Sequence, residues 1–182
     1  AGYYTSNNAK EDYQFRKAVT AWDDSSRTAH WRNRGPDQPF FSVFNFNITH
    51  ESQIWVQAEN PLRVSENLQV PIPPYLPDTA VAQRDVRQVY SNIVAMDEQV
   101  GQILDELEQD GLMESTVIFW YSDHGGPLPR QKRLLYDAGL QVPMIIRYPD
   151  KWRAGELDHQ LISFVDFKST ALSLAGIEPP EY

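Results

Sequence analysis

The feature that most constrains the fold is a long amphipathic stripe in the middle of the chain. Apolar residues recur there at alternating spacings of three and four, which places them on one face of a helix: Val86, Val89, Ile93, Met96, Val100, Ile103 and Leu107. Acidic residues occupy the opposite face, and Asp110-Gly111 is expected to end the helix. The sequence therefore predicts one long helix that buries its apolar stripe.

Three apolar runs of strand length flank this helix. They cover residues 39–48, 115–121 and 142–149. Largely apolar runs of this length are typical of strands that are buried on both faces. Strands that alternate with a long helix indicate an α/β fold with a largely parallel sheet.

The remaining segments predict loops and short elements. Residues 1–38 are polar and predict a short strand followed by a loop, and the five prolines of residues 58–78 predict a surface loop. An apolar segment from Leu161 leads into a short final helix that is expected to end near Gly176.

Composition excludes several classes of function. The formal net charge of −9 over 182 residues opposes non-specific binding to nucleic acid, which requires basic patches. The sequence has no cysteine, and this excludes disulfides, a cysteine nucleophile and a cysteine-based zinc site within these residues. No apolar run reaches the roughly 18 residues of a membrane-spanning helix.

Polar side chains suited to metal binding follow two of the predicted strands. His50 comes after the first strand, and Asp123-His124-Gly125-Gly126 comes directly after the second. Ligands in open α/β sheets gather at the carboxyl ends of the strands, and a carboxylate with an imidazole can bind a divalent cation. The alternative interpretation is an ordinary aspartate-containing turn, with His50 as a hydrogen-bonded histidine at a strand end.

A basic cluster follows the second strand. Arg130, Lys132 and Arg133 place three cations in four positions. Such a cluster can hold a sulfate or phosphate group beside a metal ion. The alternative is a solvated basic loop.

These segments together resemble the sulfatase family. The second half resembles the second signature block of sulfatases through Asp123-His124-Gly125-Gly126, Lys132, Leu135-Tyr136-Asp137-Ala138-Gly139, Val142-Pro143 and Ile145-Ile146-Arg147-Tyr148-Pro149. Further similarities are Pro39-Phe40-Phe41 to His50, Phe164-Val165-Asp166 with Leu172 to Ile177 and, more weakly, Gly2-Tyr3-Tyr4 to Lys10. The order and separations of these motifs match over nearly the whole chain, which is more specific than any single motif.

The resemblance implies a fold and a role for each site residue. It implies that residues 1–182 are part of a sulfatase catalytic domain, in an incomplete α/β fold of the alkaline-phosphatase type. Asp123 and His124 would bind a divalent cation, with Ca²⁺ expected first and Mn²⁺ or Zn²⁺ as alternatives because imidazole suits them better. His50, Lys132 and Arg130 would contact the sulfate group, and one of the first two would protonate the leaving oxygen. Lys10 would lie near the sulfate and the nucleophile.

The chain also departs from the family pattern. Where the family has Lys-Trp-His, this chain has Lys10-Glu11-Asp12, and Asp12 cannot donate to a sulfate as a cation. Sulfatases use a formylglycine made from Cys or Ser in a Cys/Ser-x-Pro/Ala-x-Arg motif, and the sequence contains no such motif. The family order predicts that the nucleophile and the first metal-binding aspartates lie upstream of Gly2. The isolated chain is therefore expected to be inactive.

The resemblance also implies a substrate class and a location. The complete protein would hydrolyse sulfate esters, on a carbohydrate or another sulfate ester, and would be periplasmic or secreted. A phosphonate or phosphodiester hydrolase of the same superfamily and a non-catalytic anion-binding module remain alternatives. Six residues of the N-terminal segment would suit a sugar-contacting loop, although packing of the tryptophans is an equal alternative: Tyr3, Tyr4, Trp22, Trp31, Arg32 and Arg34.

Overall fold

The computed structural model describes residues 2–178, and these fall into two compact units. The first unit comprises residues 2–45 and 155–178, and the second comprises residues 46–154. The mixed α/β class predicted from the sequence is confirmed by a small parallel sheet together with helices. Each unit is described separately.

A three-stranded parallel sheet forms the centre of the first unit. Strand β1 (Tyr4–Asn8) lies between β2 (Asp24–Ser26) and β3 (Phe40–Phe44), and both neighbours run parallel to it. The predicted short strand near the N-terminus is therefore confirmed. The sequence analysis missed β2 because Asp24-Ser25-Ser26 has no apolar residue to mark a strand.

The first apolar run forms a shorter and less buried strand than predicted. The run covers residues 39–48, whereas β3 ends at Phe44. The expectation of a buried central strand was wrong, because β3 is at an edge of the sheet and Phe41 is 48% exposed. Apolar length does not reveal how many neighbours a strand has.

Buried polar side chains connect the strands of this sheet. The Ser6 hydroxyl donates to the Ser42 hydroxyl at 2.7 Å. Asn45 donates through Nδ2 to Asn7 Oδ1 and to the Asn8 carbonyl oxygen, both at 3.0 Å. Because Ser6 and Asn7 are buried, these bonds offset the loss of their hydration.

The core of the first unit is built around Trp31. This residue begins a short 3-10 helix (Trp31–Asn33) and is almost fully buried. Its ring packs against those of His30, Phe40 and Phe44, with centroid distances of 3.9 to 5.9 Å. The packing alternative therefore applies to Trp31. The predicted final helix is α4 (Val165–Leu174).

The second unit contains three α-helices, a short 3-10 helix (Met113–Ser115) and one pair of strands: α1 (Gln53–Val56), α2 (Ala80–Gln109), β4 (Ile118–Tyr121), α3 (Asp137–Leu140) and β5 (Met144–Arg147). Strands β4 and β5 pair antiparallel, whereas the sequence predicted a largely parallel sheet. Both faces of the pair are partly open, and Ile145 is mostly exposed. Within residues 2–178, no helix combines the length and the apolar character that crossing a membrane requires.

Helix α2 confirms the predicted long helix, and it buries Val86 and Leu107 of the predicted stripe together with residues beside the stripe. The Thr79 hydroxyl accepts from the Ala82 amide at 3.2 Å and caps its N-terminus, and Gly111 follows its end with φ +70°. Ile93 of the predicted stripe is 45% exposed, whereas four neighbouring residues are buried: Gln88, Ser91, Asn92 and Ala95.

The buried polar face of α2 holds down the proline-rich loop of residues 58–78. The Ser91 hydroxyl accepts from the Arg63 amide at 2.9 Å, and Arg87 Nε donates to the Leu68 carbonyl oxygen at 2.8 Å. The helix therefore uses side-chain hydrogen bonds to secure the backbone of a loop. An apolar period cannot reveal such contacts.

Candidate functional site

His50 lies in a turn that precedes α1. Its amide donates to the Asn47 carbonyl oxygen at 3.1 Å, and its own carbonyl oxygen accepts from the Gln53 amide at 2.8 Å. The expectation that His50 directly ends the first strand was wrong, because β3 ends six residues earlier at Phe44. A hydrogen-bonded turn, and not a strand end, therefore orients the His50 side chain.

Hydrogen-bond donors surround the His50 imidazole. The Ser52 amide donates to Nδ1 at 3.2 Å, and the Ser52 hydroxyl lies 2.8 Å from the same nitrogen. On the opposite side of the ring, Nε2 is 3.1 Å from Lys132 Nζ. A neutral imidazole has one lone pair and one N–H, and a lysine ammonium only donates. When Nδ1 accepts from Ser52, Nε2 carries the proton, and its N–H faces the Lys132 ammonium, which is also a donor. One acceptor can then take a hydrogen bond from both His50 and Lys132.

The loop after β4 is fixed by close backbone packing. The Ser122 amide donates to the Pro143 carbonyl oxygen at 3.3 Å, and the Gly125 amide donates to the Gly139 carbonyl oxygen at 3.0 Å. A Cβ atom at Gly125 would overlap with the carbonyl oxygen of Ala138. The glycine is therefore required because α3 lies directly against the loop.

Asp123 and His124 lie side by side at this loop. Asp123 Oδ1 is 3.7 Å from His124 Nε2. His124 Nδ1 is 2.7 Å from the Gly125 carbonyl oxygen. A carbonyl only accepts, so Nδ1 carries the proton and Nε2 of the neutral ring keeps its lone pair. Burial and the Asp123 charge raise the pKa of the neighbouring Tyr121 hydroxyl.

The donor pair fits two positions around one divalent cation. Ligand atoms at about 2.0–2.6 Å from an ion lie roughly 3 to 4 Å from each other when they occupy adjacent positions, which matches the 3.7 Å separation. Among residues 2–178, no group of three or more histidine, aspartate and glutamate side chains is placed to hold a metal ion. The described residues thus provide a partial set of ligands.

Lys132 connects the loop after β4 to the His50 turn. Its amide donates to the Gly126 carbonyl oxygen at 3.1 Å, and its ammonium contacts His50 Nε2. The fold therefore brings together His50 and Lys132, and it attaches Lys132 to the backbone of the segment that carries Asp123 and His124. The sequence predicted that these residues meet at one edge of a sheet. In the structure their contacts form between loops.

Glu51 is a part of this region that the sequence analysis missed. Its carboxylate accepts from both terminal nitrogens of Arg133 at 2.7 and 3.2 Å and lies 3.5 Å from Lys132 Nζ. Hydrogen bonding from Arg133, supported by the Lys132 charge, holds the pKa of Glu51 below its usual value. An acidic residue beside His50 gave no signal in the sequence that it would pair with cations more than 80 positions away.

Arg130 and Lys10 have other surroundings. The Arg130 guanidinium lies 5.5 Å from the Tyr75 ring centroid and 5.7 Å from that of Tyr136. Lys10 belongs to the first unit, where its Nζ is 3.0 Å from Asp12 Oδ2. The sulfate-binding roles given to both residues stay predictions.

The comparisons with known proteins identify the family. The sulfatase family model matches residues 3–177, so the chain belongs to the sulfatase family. Over its whole length the chain is 50% identical to an ulvan-active sulfatase of Formosa agariphila, and it covers 36% of that protein. Over 69% of its length it is 30% identical to the human N-sulphoglucosamine sulphohydrolase, of which it covers 24%.

A third relative is the N-acetylglucosamine-6-O-sulfatase of Bacteroides thetaiotaomicron. It is 35% identical over 54% of this chain, which covers 18% of that protein. The chain thus spans between about a fifth and about a third of the length of these three relatives. The sulfatase resemblance drawn from the sequence motifs is confirmed.

Proposed function

We propose that the complete protein containing this chain hydrolyses sulfate esters on a carbohydrate. Membership of the sulfatase family supports the reaction type. The names of an ulvan-active sulfatase and of two amino-sugar sulfatases among its relatives support a sugar substrate. Residues 1–182 would supply the sulfate-holding side of the active site and two of its metal ligands.

The observation that carries the proposal is the contact between His50 and Lys132. His50 Nε2 and the ammonium of Lys132 lie 3.1 Å apart, and in the tautomer whose Nδ1 accepts from the Ser52 amide both groups are donors. An oxygen of a sulfate ester satisfies both donors at once. Because the Ser52 amide and the Gly126 carbonyl oxygen already hold these two residues, the donors are preorganised for the substrate.

These donors also suit the chemistry of sulfate-ester cleavage. Negative charge develops on the transferred sulfuryl group and on the leaving oxygen as the S–O bond breaks. The fixed cation of Lys132 would stabilise the charge on the sulfuryl oxygens. His50, in its imidazolium form, would pass its Nε2 proton to the leaving oxygen and become a neutral imidazole that keeps its proton on Nδ1, 2.8 Å from the Ser52 hydroxyl oxygen.

Asp123 and His124 would hold a divalent cation, with Ca²⁺ proposed first and Mn²⁺ or Zn²⁺ as alternatives. Their 3.7 Å separation and the lone pair on His124 Nε2 support this assignment. When bound, such a cation withdraws charge from the sulfate group and lowers the barrier to attack on sulfur. The sequence has no cysteine and no nucleophile motif. A formylglycine nucleophile would therefore come from a part of the complete protein outside residues 1–182.

The test is release of inorganic sulfate from sulfated oligosaccharides by the complete protein. We expect Lys132→Gln and His50→Gln each to lower kcat/KM about 100-fold, the usual cost of removing one preorganised donor. Lys151→Gln is the matched control, because it removes an exposed lysine charge from the same unit. Release of phosphate from phosphodiesters with no release of sulfate would contradict the proposed reaction.

A further inference from the structure

Arg130 differs from the two other cations of its cluster in its partners. Lys132 and Arg133 both lie within 3.5 Å of the Glu51 carboxylate. Among residues 2–178, Arg130 has no carboxylate partner, and its guanidinium lies against the rings of Tyr75 and Tyr136 instead. The charge of Arg130 is therefore the one in the cluster that no neighbouring carboxylate balances.

The two tyrosines orient Arg130 without neutralising it. An aromatic ring attracts a cation through its face, and this leaves the N–H groups at the edge of the guanidinium able to donate. A planar guanidinium fork is suited to bidentate contact with a carboxylate or a sulfate. The tyrosines thus hold Arg130 in place with N–H groups that can donate hydrogen bonds to an anion.

The residues around Arg130 also show unfavourable backbone angles and an unsatisfied polar group. Arg130 has φ +63° and Arg133 has φ +70°, in the left-handed region that residues other than glycine seldom adopt. The Tyr75 hydroxyl is buried with no hydrogen-bond partner among the described residues. Strained backbone and unsatisfied polar groups of this kind concentrate at functional sites.

The cluster lies within reach of the proposed sulfate site. Arg130 precedes Lys132 by two residues, so their Cα atoms are at most about 7 Å apart. The Tyr136 ring is about half exposed and can pack against a sugar ring. One substrate can therefore contact both Lys132 and Arg130.

We propose that Tyr75, Arg130 and Tyr136 form a sugar subsite that binds a second anionic group, a carboxylate or a second sulfate, next to the sulfate ester that is cleaved. The inference rests on the proposed sulfatase function and narrows its substrate to carbohydrates with two neighbouring anions. Arg130 donates to the second anion and not, as the family resemblance implied, to the sulfate that is cleaved, and Tyr136 packs against the ring that carries the second anion.

Three matched disaccharides test the subsite on the complete protein. All carry the same sulfate ester, and the adjoining sugar carries a carboxylate, a second sulfate or, after reduction of the carboxylate, a neutral alcohol. We expect Arg130→Gln to raise KM about 10-fold or more for whichever dianionic substrate is preferred, since one charged hydrogen-bonded contact is lost. For the neutral substrate we expect less than about a twofold change in KM, because the contact does not exist there.

Arg153→Gln is the control for the substitution itself. Arg153 also lies over an aromatic ring, that of Trp152 at 5.5 Å, and also has a positive φ, of 53°. The Arg153→Gln substitution should leave the KM values for all three disaccharides unchanged. Arg130→Lys keeps the charge but loses the planar fork, so it should recover only part of the affinity. Thermal unfolding of every variant identifies any variant that fails to fold.

Binding measured by calorimetry separates failure of the subsite from failure of the proposed function. If the complete protein hydrolyses none of the disaccharides, the sulfatase proposal fails, and calorimetry still compares the wild type with Arg130→Gln on the dianionic ligand. Weaker binding by the variant supports the subsite. Equal loss on dianionic and neutral substrates, or no loss on any of them, would overturn it.

Discussion

The two lysines that the family resemblance assigns to the sulfate site are held in different ways. Lys132 contacts His50, 82 residues earlier in the chain, and its side chain is 18% exposed. Lys10 pairs with Asp12, two residues further on, and its side chain is 30% exposed. Distant segments position Lys132, whereas the pair at Lys10 forms within one short stretch of the first unit.

This difference shows which of the two lysine contacts depends on the packing of distant segments. The position of Lys132 depends on packing among the His50 turn, the loop after β4 and α3. The pair formed by Lys10 and Asp12 needs no such assembly. Substitutions around Lys132 should therefore have large effects, and a substitution at the Lys10 pair should have a small one.

Substitution of Gly125 should break the Lys132 region most severely. The added Cβ atom of Gly125→Ala meets the Ala138 carbonyl oxygen, which belongs to backbone and cannot move aside cheaply. We expect the free energy of unfolding of the complete protein to fall by about 3 kcal/mol. Gly101→Ala in α2 is the control, because nothing lies within 4 Å of its added Cβ. Equal denaturant midpoints for the two variants would show that the loop is not tightly packed.

Substitution of Asp123 should affect metal binding more than stability. Asp123→Asn removes the charged oxygen that faces His124 Nε2. We expect the affinity of the complete protein for Ca²⁺ or Mn²⁺, measured by calorimetry, to fall about 10- to 100-fold. The exposed Asp150→Asn is the control. Unchanged affinity after Asp123→Asn would place the metal elsewhere.

The Glu51 contact predicts a pH dependence of stability. Arg133 and Lys132 lower the pKa of Glu51, so the folded state favours the charged carboxylate. The resulting stabilisation is fully present above the ordinary pKa of 4.5 and is lost as the pH falls through the lowered pKa. Glu51→Gln should therefore lower the unfolding temperature at pH 7 and match the wild type at strongly acidic pH. A difference that is independent of pH would contradict the ionic contact.

The pair formed by Lys10 and Asp12 should show the smallest effect. Asp12→Asn removes an ion pair whose acidic side chain is mostly exposed. Exposed pairs contribute little because water and salt screen them, so we expect a change below about 0.5 kcal/mol in chemical denaturation. A loss as large as that of Gly125→Ala would mean that Lys10 is also held by contacts that depend on the fold.

The sequence predicted the elements better than their surroundings. The long helix, the proline-rich loop and the approximate positions of β1, β4 and β5 could be predicted because local periodicity and turn residues determine them. Exposure and pairing could not, since they depend on which segments pack together. Helix α2 buries Ser91 beside the predicted stripe, where its hydroxyl accepts from the Arg63 amide of the proline-rich loop.

The site followed the same pattern. Linked family motifs predicted the importance of His50, Asp123, His124 and Lys132, and the structure places His50 against Lys132 and Asp123 beside His124. The contacts of Glu51 with Arg133 and of Tyr75 with Arg130 join residues more than 50 positions apart, and no local pattern predicts such pairs. The roles of these residues, the metal and the periplasmic or secreted location stay predictions.

The central claim is that His50 and Lys132 act together on one sulfate group, and a double-mutant cycle on kcat/KM tests it most directly. The complete protein is assayed for sulfate release as wild type, His50→Gln, Lys132→Gln and the double variant. Residues that act as a unit give effects that are far from additive. We predict that the double variant loses little more activity than either single variant. Losses that simply multiply would show that the two side chains act independently and would contradict the shared sulfate site.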